Sequence, residues 1–151
     1  MDYLLLTELV IFGSCGLVTG YMVFIAGVIQ KTLMNINTKE FHTFINLQVN
    51  FAEKSIFAIT SSLVPFIVGI IYFIFFGFGN IWFSLGIIVY ILASIVSKIL
   101  NLPIYDTLSN IDSSETQELE NIRIKLGKTN NIRTLLQFLS FIIMGIGMIF
   151  P

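Results

Sequence analysis

The sequence predicts an all-α integral membrane protein, a four-helix bundle with a short amphipathic cytoplasmic helix between spans three and four. Of the 151 residues, 56% are hydrophobic and only 11% are charged, whereas soluble domains carry about 25% charged residues. The 43 residues from Ser55 to Ser97 contain no Asp, Glu, Lys or Arg. A span needs about 20 apolar residues, and its backbone must satisfy its own hydrogen bonds in lipid. This run is therefore long enough for two helical spans.

Four spans within a single domain, residues 1–151, account for the apolar segments of the chain. We expect them at about residues 3–29, 55–76, 81–97 and 134–150. The glycines and asparagine of FGFGNIW mark a tight turn between the second and third spans. The first span has no basic residue before it and no small-residue cleavage site near Ile29, so we do not expect a removable signal peptide.

The basic residues predict the orientation in the bilayer. All eight lie in, or at the edges of, two segments, residues 30–54 and 98–133. They are Lys31, Lys39, Lys54, Lys98, Arg123, Lys125, Lys128 and Arg133. Because cytoplasmic loops are enriched in Lys and Arg, both segments should face the cytoplasm. The N- and C-termini should then face away from the cytoplasm, in a cytoplasmic (inner) membrane.

Glycines mark one face of the first span. Gly13, Gly16, Gly20 and Gly27 follow one another at steps of three, four and seven, which place them on one side of a helix. Small residues let a neighbouring helix approach closely in lipid. Two interpretations follow, packing within the bundle or a homodimer through Gly13, Gly16 and Gly20.

The segment 38–54 has the periodicity of an amphipathic helix. Phe41, Ile45 and Val49 form an apolar stripe, and a polar stripe lies beside it. The polar stripe consists of His42, Asn46, Asn50 and Glu53. We expect Thr38 to cap a cytoplasmic helix extension that runs without a break into the second span. The polar stripe either faces water or contributes to a site.

The segment 98–133 contains the predicted short amphipathic helix. Acidic residues come first and basic residues later, which suits the helix dipole. Ser114 and Gln117 have the spacing of a capping box, and Gly127 is a typical helix end. We interpret this helix as a solvated cover over the bundle or as a lid.

Polar side chains should converge at the cytoplasmic mouth of the bundle. Pro103 disfavours helix at the residue before it, so we expect the third helix to end or kink near Asn101. Buried polar groups need partners, and a shared network is the simplest way to provide them. The network would combine three sets: His42, Asn46 and Asn50; Asn101 and Tyr105; and Asn130 and Arg133.

The stretches NLPIY after span three and NNIRT before span four, with the charged insert between them, carry a resemblance. Together with FINLQVN and the layout of the spans, they resemble the anthrone-oxygenase-like family of small four-span membrane proteins, most of whose members have no assigned reaction. The chain departs from the family at Tyr105, where a second asparagine is typical. The resemblance implies oxygenation, without a cofactor, of a lipophilic phenolic or anthrone-like substrate.

Such a reaction needs a base and hydrogen-bond donors. His42 is the single histidine and a candidate general base, although a lone histidine is commonly a packed or solvated residue. Tyr105 and Arg133 would stabilise the developing oxyanion, so we assign catalytic roles to these three. We assign ligand binding to Asn46, Asn50, Asn101 and Asn130. One histidine and a distant Cys15 make no metal-ligand cluster, so we expect no metal and no other cofactor.

Two functional hypotheses remain open. In the first, a polar pocket facing the cytoplasm binds a lipophilic aromatic, phenolic or quinone-like small molecule and oxygenates it. In the second, the protein is non-catalytic, either a small transporter or an accessory subunit held by its glycine face. Glu8 bears on both, because an acid inside a span is commonly functional, although it lies near enough to the end to reach water. The partners expected are the lipid bilayer and the small molecule, without nucleic acid.

Overall fold

The structure is a computed structural model that describes residues 2–150, except for the side chains of Glu53, Phe57 and Ala58. Within that range the chain forms five helices and no strand. They are α1 (Tyr3–Asn35), α2 (Thr38–Lys54), α3 (Ile56–Phe76), α4 (Ile81–Asn110) and α5 (Thr116–Ile149). Helices α1, α3, α4 and α5 are each long and apolar enough to cross a bilayer. The predicted all-α, four-span architecture is confirmed.

The turn between α3 and α4 lies where the sequence predicts it. Gly77 has a φ of +63°, a left-handed conformation that glycine adopts without steric cost. Asn80 then caps α4, its side-chain oxygen accepting a hydrogen bond from the N–H of Phe83 at 3.1 Å. We call this end of the bundle the turn end, and the opposite end, where α2 packs, the α2 end.

Helix α2 begins and ends differently from the prediction. Its cap is Asn37 rather than Thr38, because Glu40 lies three residues after Asn37 and completes a capping box. The helix stops at Ser55, whose ψ of 110° is extended, so α2 does not continue into α3. This break leaves α2 free to pack against the ends of α4 and α5.

Helix α4 continues past the proline that was expected to end it. Pro103 lies inside a helix that runs to Asn110. Its ring is exposed, while Ile104 and Leu108 on the opposite face are buried in an apolar cluster. Packing of that face holds the helix together and outweighs the local preference of the residue before proline.

The amphipathic helix predicted between spans three and four is present, but as the first half of α5 rather than a separate element. Helix α5 runs through Gly127 without a break. The glycine at this position provides space for Gln30 of α1, because an added Cβ would lie 2.8 Å from Nε2 of Gln30. The predicted capping box is also wrong. Glu115 is the cap residue, and the Ser114 hydroxyl instead donates to Asp112 at 2.8 Å.

Two apolar clusters fill the bundle. At the α2 end, side chains from α1, α2, α4 and α5 pack together: Leu33, Phe41, Ile45, Ile104, Leu108, Leu119, Ile122 and Leu126. At the turn end, the cluster comes from α1, α3, α4 and α5: Ile11, Cys15, Tyr72, Phe83, Ile87, Tyr90 and Met144. Polar residues of α4 and α5 occupy the level between the two clusters.

Helix α1 contains a π-helical turn at Ile25–Ile29. There the N–H of Gln30 bonds the carbonyl of Ile25, five residues back instead of four. The wider turn holds one extra residue, and it brings Gln30 onto the buried side of the helix, where it is 7% exposed. Helix α1 therefore contributes to both clusters.

Candidate functional site

Helices α4 and α5 pack antiparallel, and four polar side chains lie along their middle portions. Near the turn end, Ser140 donates to the carbonyl of Gly86 at 2.8 Å, so early residues of α4 meet late residues of α5. Asn101 and Tyr105 lie one turn apart on α4, where Tyr105 packs against the α2-end cluster, and Arg133 and Gln137 lie one turn apart on α5. We call these four residues the central polar layer.

Arg133 is the charged member of this layer. Its Nε atom is buried and has no hydrogen-bond partner, and no ion pair of the described residues includes it. Arg133 thus has no carboxylate partner among the described side chains, although ionisable groups in spans ordinarily pair with one another.

The two amides of the layer have unsatisfied acceptors. Asn101 is 3% exposed and donates to the Ser97 hydroxyl at 3.5 Å, but its Oδ1 has no partner. Gln137 is 2% exposed and its Oε1 also has none. Buried polar atoms are seldom unpaired. The layer therefore offers a donor on Arg133 and two acceptors to a molecule with both a hydroxyl and an electron-rich oxygen.

His42 and Asn46 form a separate pair at the α2 end. The Nδ2 of Asn46 lies 3.1 Å from Nε2 of His42, as their spacing on one helical stripe predicts. The same ring nitrogen lies 3.2 Å from the carbonyl oxygen of Leu108 on α4. The tautomer decides the pairing, because a protonated Nε2 donates to Leu108 and an unprotonated one accepts from Asn46. No hydrogen bond in the described part of the chain joins this pair to Arg133, and Asn50 is exposed.

Asn130 belongs to a third group. Its Nδ2 donates to Oε1 of Gln30 at 3.3 Å, and Gln30 in turn donates to the carbonyl of Arg123 at 3.5 Å. These bonds fasten α1 to α5. Gln30 has no sequence signal of its own, because the π-helical turn that brings it inward is not visible in the hydrophobic pattern.

Arg123 is a second buried arginine that the sequence did not single out. It is 4% exposed, its guanidinium carbon lies 4.9 Å from the centre of the Phe41 ring, and its Nη1 lies 3.3 Å from Glu120. The cation–π contact with α2 depends on the tertiary fold.

A further polar cluster lies at the turn end. Glu8 is 6% exposed, and its Oε1 accepts hydrogen bonds from the Tyr72 hydroxyl and from Nδ2 of Asn80, both at 3.3 Å. Asn80 also donates to the carbonyl of Gly147 at 2.9 Å. Glu8 therefore does not face the open surface, and it connects α1 with α3, α4 and α5.

Open grooves lie on the surface beside these groups. One, of about 450 Å³, runs along α2 and is lined by Asn37, Lys39, Glu40, Thr43, Phe44 and Leu47. Another, of about 320 Å³, lies between α1 and α5 and is lined by Val23, Ala26, Asn131, Thr134, Leu135 and Phe138. Thr134, which lines the second groove, donates to the carbonyl of Met22 at 3.1 Å and so joins α5 to α1.

No protein-family model, curated protein or solved structure matches this chain. The four apolar helices make it an integral membrane protein. The more specific function has to be argued from the residues described above.

The glycine face of α1 divides into two parts. A Cβ at Gly13, Gly20 or Gly27 would meet nothing within 4 Å, whereas one at Gly16 would lie 2.9 Å from the Phe141 ring. Gly16 therefore serves packing within the chain. The homodimer stays a prediction, and the surface open to it is the one formed by the other three glycines.

Proposed function

We propose that this membrane protein binds a lipophilic phenolic or quinone-like small molecule at its central polar layer. The observation that carries the proposal is Arg133, a half-buried arginine whose Nε is buried and unpartnered and which has no acidic partner among the described residues. Burying an unpaired charge is costly. A phenolate or carbonyl oxygen of a ligand would supply the missing acceptor, and guanidinium suits such oxygens well.

The remaining atoms of the layer support the same ligand class. The free oxygens of Asn101 and Gln137 would accept hydrogen bonds from hydroxyl groups. Tyr105 would lie beside the ligand as a further donor. The apolar side chains of the α1–α5 groove, including Val23 and Phe138, would accept a hydrophobic molecule from the bilayer.

Oxygenation without a cofactor is the narrower form of this proposal and comes from the family resemblance. In it, Arg133 would stabilise a phenolate or carbanion that reacts with dioxygen, and the substrate would have to extend to the α2 end, beside the Leu108 carbonyl, for His42 to be the base. Incubation of the purified protein with a hydroxylated anthrone should then consume one dioxygen per anthrone and release the anthraquinone and water. If the anthrone bound but no oxygen were consumed, oxygenation would be refuted and only the ligand-binding proposal would stand.

Binding can be tested on the full chain in lipid nanodiscs with a hydroxylated anthrone as the probe and anthracene as the matched hydrocarbon. We expect the anthrone to raise the thermal stability and anthracene to do so less. Arg133→Gln should weaken anthrone binding about 10-fold to 100-fold, because a hydrogen bond to a charged group is lost. Arg133→Lys should restore part of it, and Lys128→Gln, on the exposed side of the same helix, should have no effect. Equal binding by wild type and Arg133→Gln would refute the site.

An accessory or assembly role is the second candidate, supported by the open face of Gly13, Gly20 and Gly27. Without a neighbour in the chain, these glycines expose backbone against which another helix could pack. Gly20→Leu should then reduce self-association in nanodiscs, measured by single-molecule fluorescence, whereas Gly16→Ala should not. If Gly20→Leu and Gly16→Ala were both monomeric, this result would contradict the homodimer.

We also propose that the α2 end faces the cytoplasm and that both termini face away from it. The eight basic residues and the positive-inside rule support this orientation. A cysteine placed at Ser114 in a Cys15→Ala background should be labelled by an impermeant thiol reagent only after the membrane is opened. Labelling of intact cells would reverse the assignment.

A further inference from the structure

Glu8 is a buried carboxylate with hydrogen-bond donors but no counter-charge. It is 6% exposed and accepts from Tyr72 of α3 and from Asn80 at the start of α4. An acid held inside a membrane bundle is costly to keep charged and is commonly functional. Glu8 lies near the turn end, and the turn-end cluster separates it from Arg133. Its role is therefore independent of the ligand site proposed above.

The described residues around Glu8 include no base. The titratable groups that act on it are the Tyr72 hydroxyl and Asp2, and Asp2 is itself an acid. Gly147 and Met144 of α5, which pack against the start of α4, have no charge. All eight basic residues lie in the segments 30–54 and 98–133 or at their edges. Nothing in the described residues therefore neutralises the carboxylate permanently.

The hydrogen-bonding atoms around Glu8 suit a proton better than a metal cation. Asn80 turns its nitrogen towards Glu8 and Gly147, and its oxygen accepts from the N–H of Phe83. Tyr72 donates its hydroxyl hydrogen. Hard cations require several oxygen ligands, whereas these groups present hydrogens to the carboxylate.

A second buried group completes the arrangement. Ser84 on α4 is 2% exposed and its Oγ makes no hydrogen bond, and it directly follows Phe83, whose ring centre lies 5.4 Å from that of Tyr72. When Glu8 takes up a proton, the Tyr72 hydroxyl loses its anionic acceptor. Ser84 is the nearby free acceptor that the hydroxyl can turn to. Both protonation states of Glu8 can thus leave Tyr72 paired, as buried polar groups require.

We propose that Glu8 is a reversible proton-binding site, in which the Tyr72 hydroxyl switches between the Glu8 carboxylate and Ser84 as the proton binds. The site belongs to the bundle and is assembled from α1, α3 and α4. Proton uptake there weakens the links from Tyr72 and Asn80 to α1, so it would loosen the turn end of the bundle.

The first experiment uses a hydrophobic carbodiimide, which reacts with protonated carboxyl groups in apolar surroundings. The full chain in lipid nanodiscs is labelled between about pH 5 and about pH 9, and the adduct is located by mass spectrometry. We expect labelling of Glu8 that falls as the pH rises, none in Glu8→Gln, and an unchanged profile in Glu40→Gln, an exposed acid on α2. Infrared difference spectra of the unlabelled protein should show the protonated carboxyl band, absent in Glu8→Gln. No Glu8 band and no Glu8 adduct at any pH would overturn the proposal.

Two substitutions test the switch itself, and they should act in opposite directions. Tyr72→Phe keeps the ring and removes a donor to the charged form, so labelling at a fixed pH should rise about fivefold. Ser84→Ala removes the acceptor used in the protonated form, so labelling should fall by a similar factor. Changes in the same direction would overturn the switch. If added sodium at constant pH reduced the carbodiimide labelling of Glu8, the site would bind a metal cation. That result would overturn the proposal that it binds a proton.

Discussion

A methyl group at Gly147 should disrupt the closest approach between α4 and α5. An alanine Cβ there would lie 2.5 Å from the backbone nitrogen of Phe83 and 2.9 Å from its Cα. Ordinary contact begins at 3.4 Å, so the helices must separate by about 1 Å, and overpacking of this kind typically costs about 1–3 kcal/mol. The atoms in the way belong to backbone, and they cannot rotate aside as a side chain can. Separation would also stretch the 2.9 Å bond from Asn80 to the Gly147 carbonyl.

The measurement is reversible unfolding in mixed micelles, with the free energy taken for wild type, Gly147→Ala and two control variants. Gly13→Ala and Gly20→Ala make the same chemical change where a Cβ meets nothing within 4 Å, so they should be neutral or slightly stabilising. Gly16→Ala should be intermediate, because its obstacle is the movable ring of Phe141. Equal effects at Gly147 and Gly13 would refute the argument, since helix propensity rather than packing would then explain both.

Two further predictions concern the α2 end. Phe41→Leu should reduce the free energy of unfolding by about 2 kcal/mol through loss of the buried cation–π contact with Arg123; Phe44→Leu, at an exposed position of the same helix, should change it by less than about 0.5 kcal/mol. Hydrogen bonds from the backbone and side chain of Ser114 hold the pKa of Asp112 below its usual value, so this turn should be fully formed above about pH 4 and lost as the pH falls through that lowered pKa. The Ser114 amide shift in NMR spectra should follow this titration and should not titrate in Asp112→Asn.

The sequence was sufficient for the architecture because membrane spans obey a simple rule. Long uncharged segments must be helical in lipid, and FGFGNIW marked the turn that Gly77 makes. Helix ends were less predictable. Pro103 and Gly127 have strong local preferences for ending a helix, but the face of α4 opposite Pro103 is buried, and Gly127 provides space for Gln30. Tertiary packing decided both cases.

The candidate site was predictable only in part, for a related reason. The pair of His42 and Asn46 follows from spacing on one helix, and the structure confirms it. The partner of His42 on α4 is a backbone carbonyl, which no residue type reveals. The catalytic and binding roles stay predictions. No hydrogen bond in the described part of the chain joins His42, Asn101, Tyr105 and Arg133, so the shared network stays a prediction.

The π-helical turn of α1 has a consequence for changes in chain length. Deleting a residue from an ordinary helix, for instance Gly13, rotates everything on one side of the deletion by about 100° relative to the other. The turn at Ile25–Ile29 already contains one residue more than an α-helix needs. Removing Gly27 should therefore regularise the helix and leave Gln30 aimed at the same neighbours, so the first span has one place where it can be shortened without being turned.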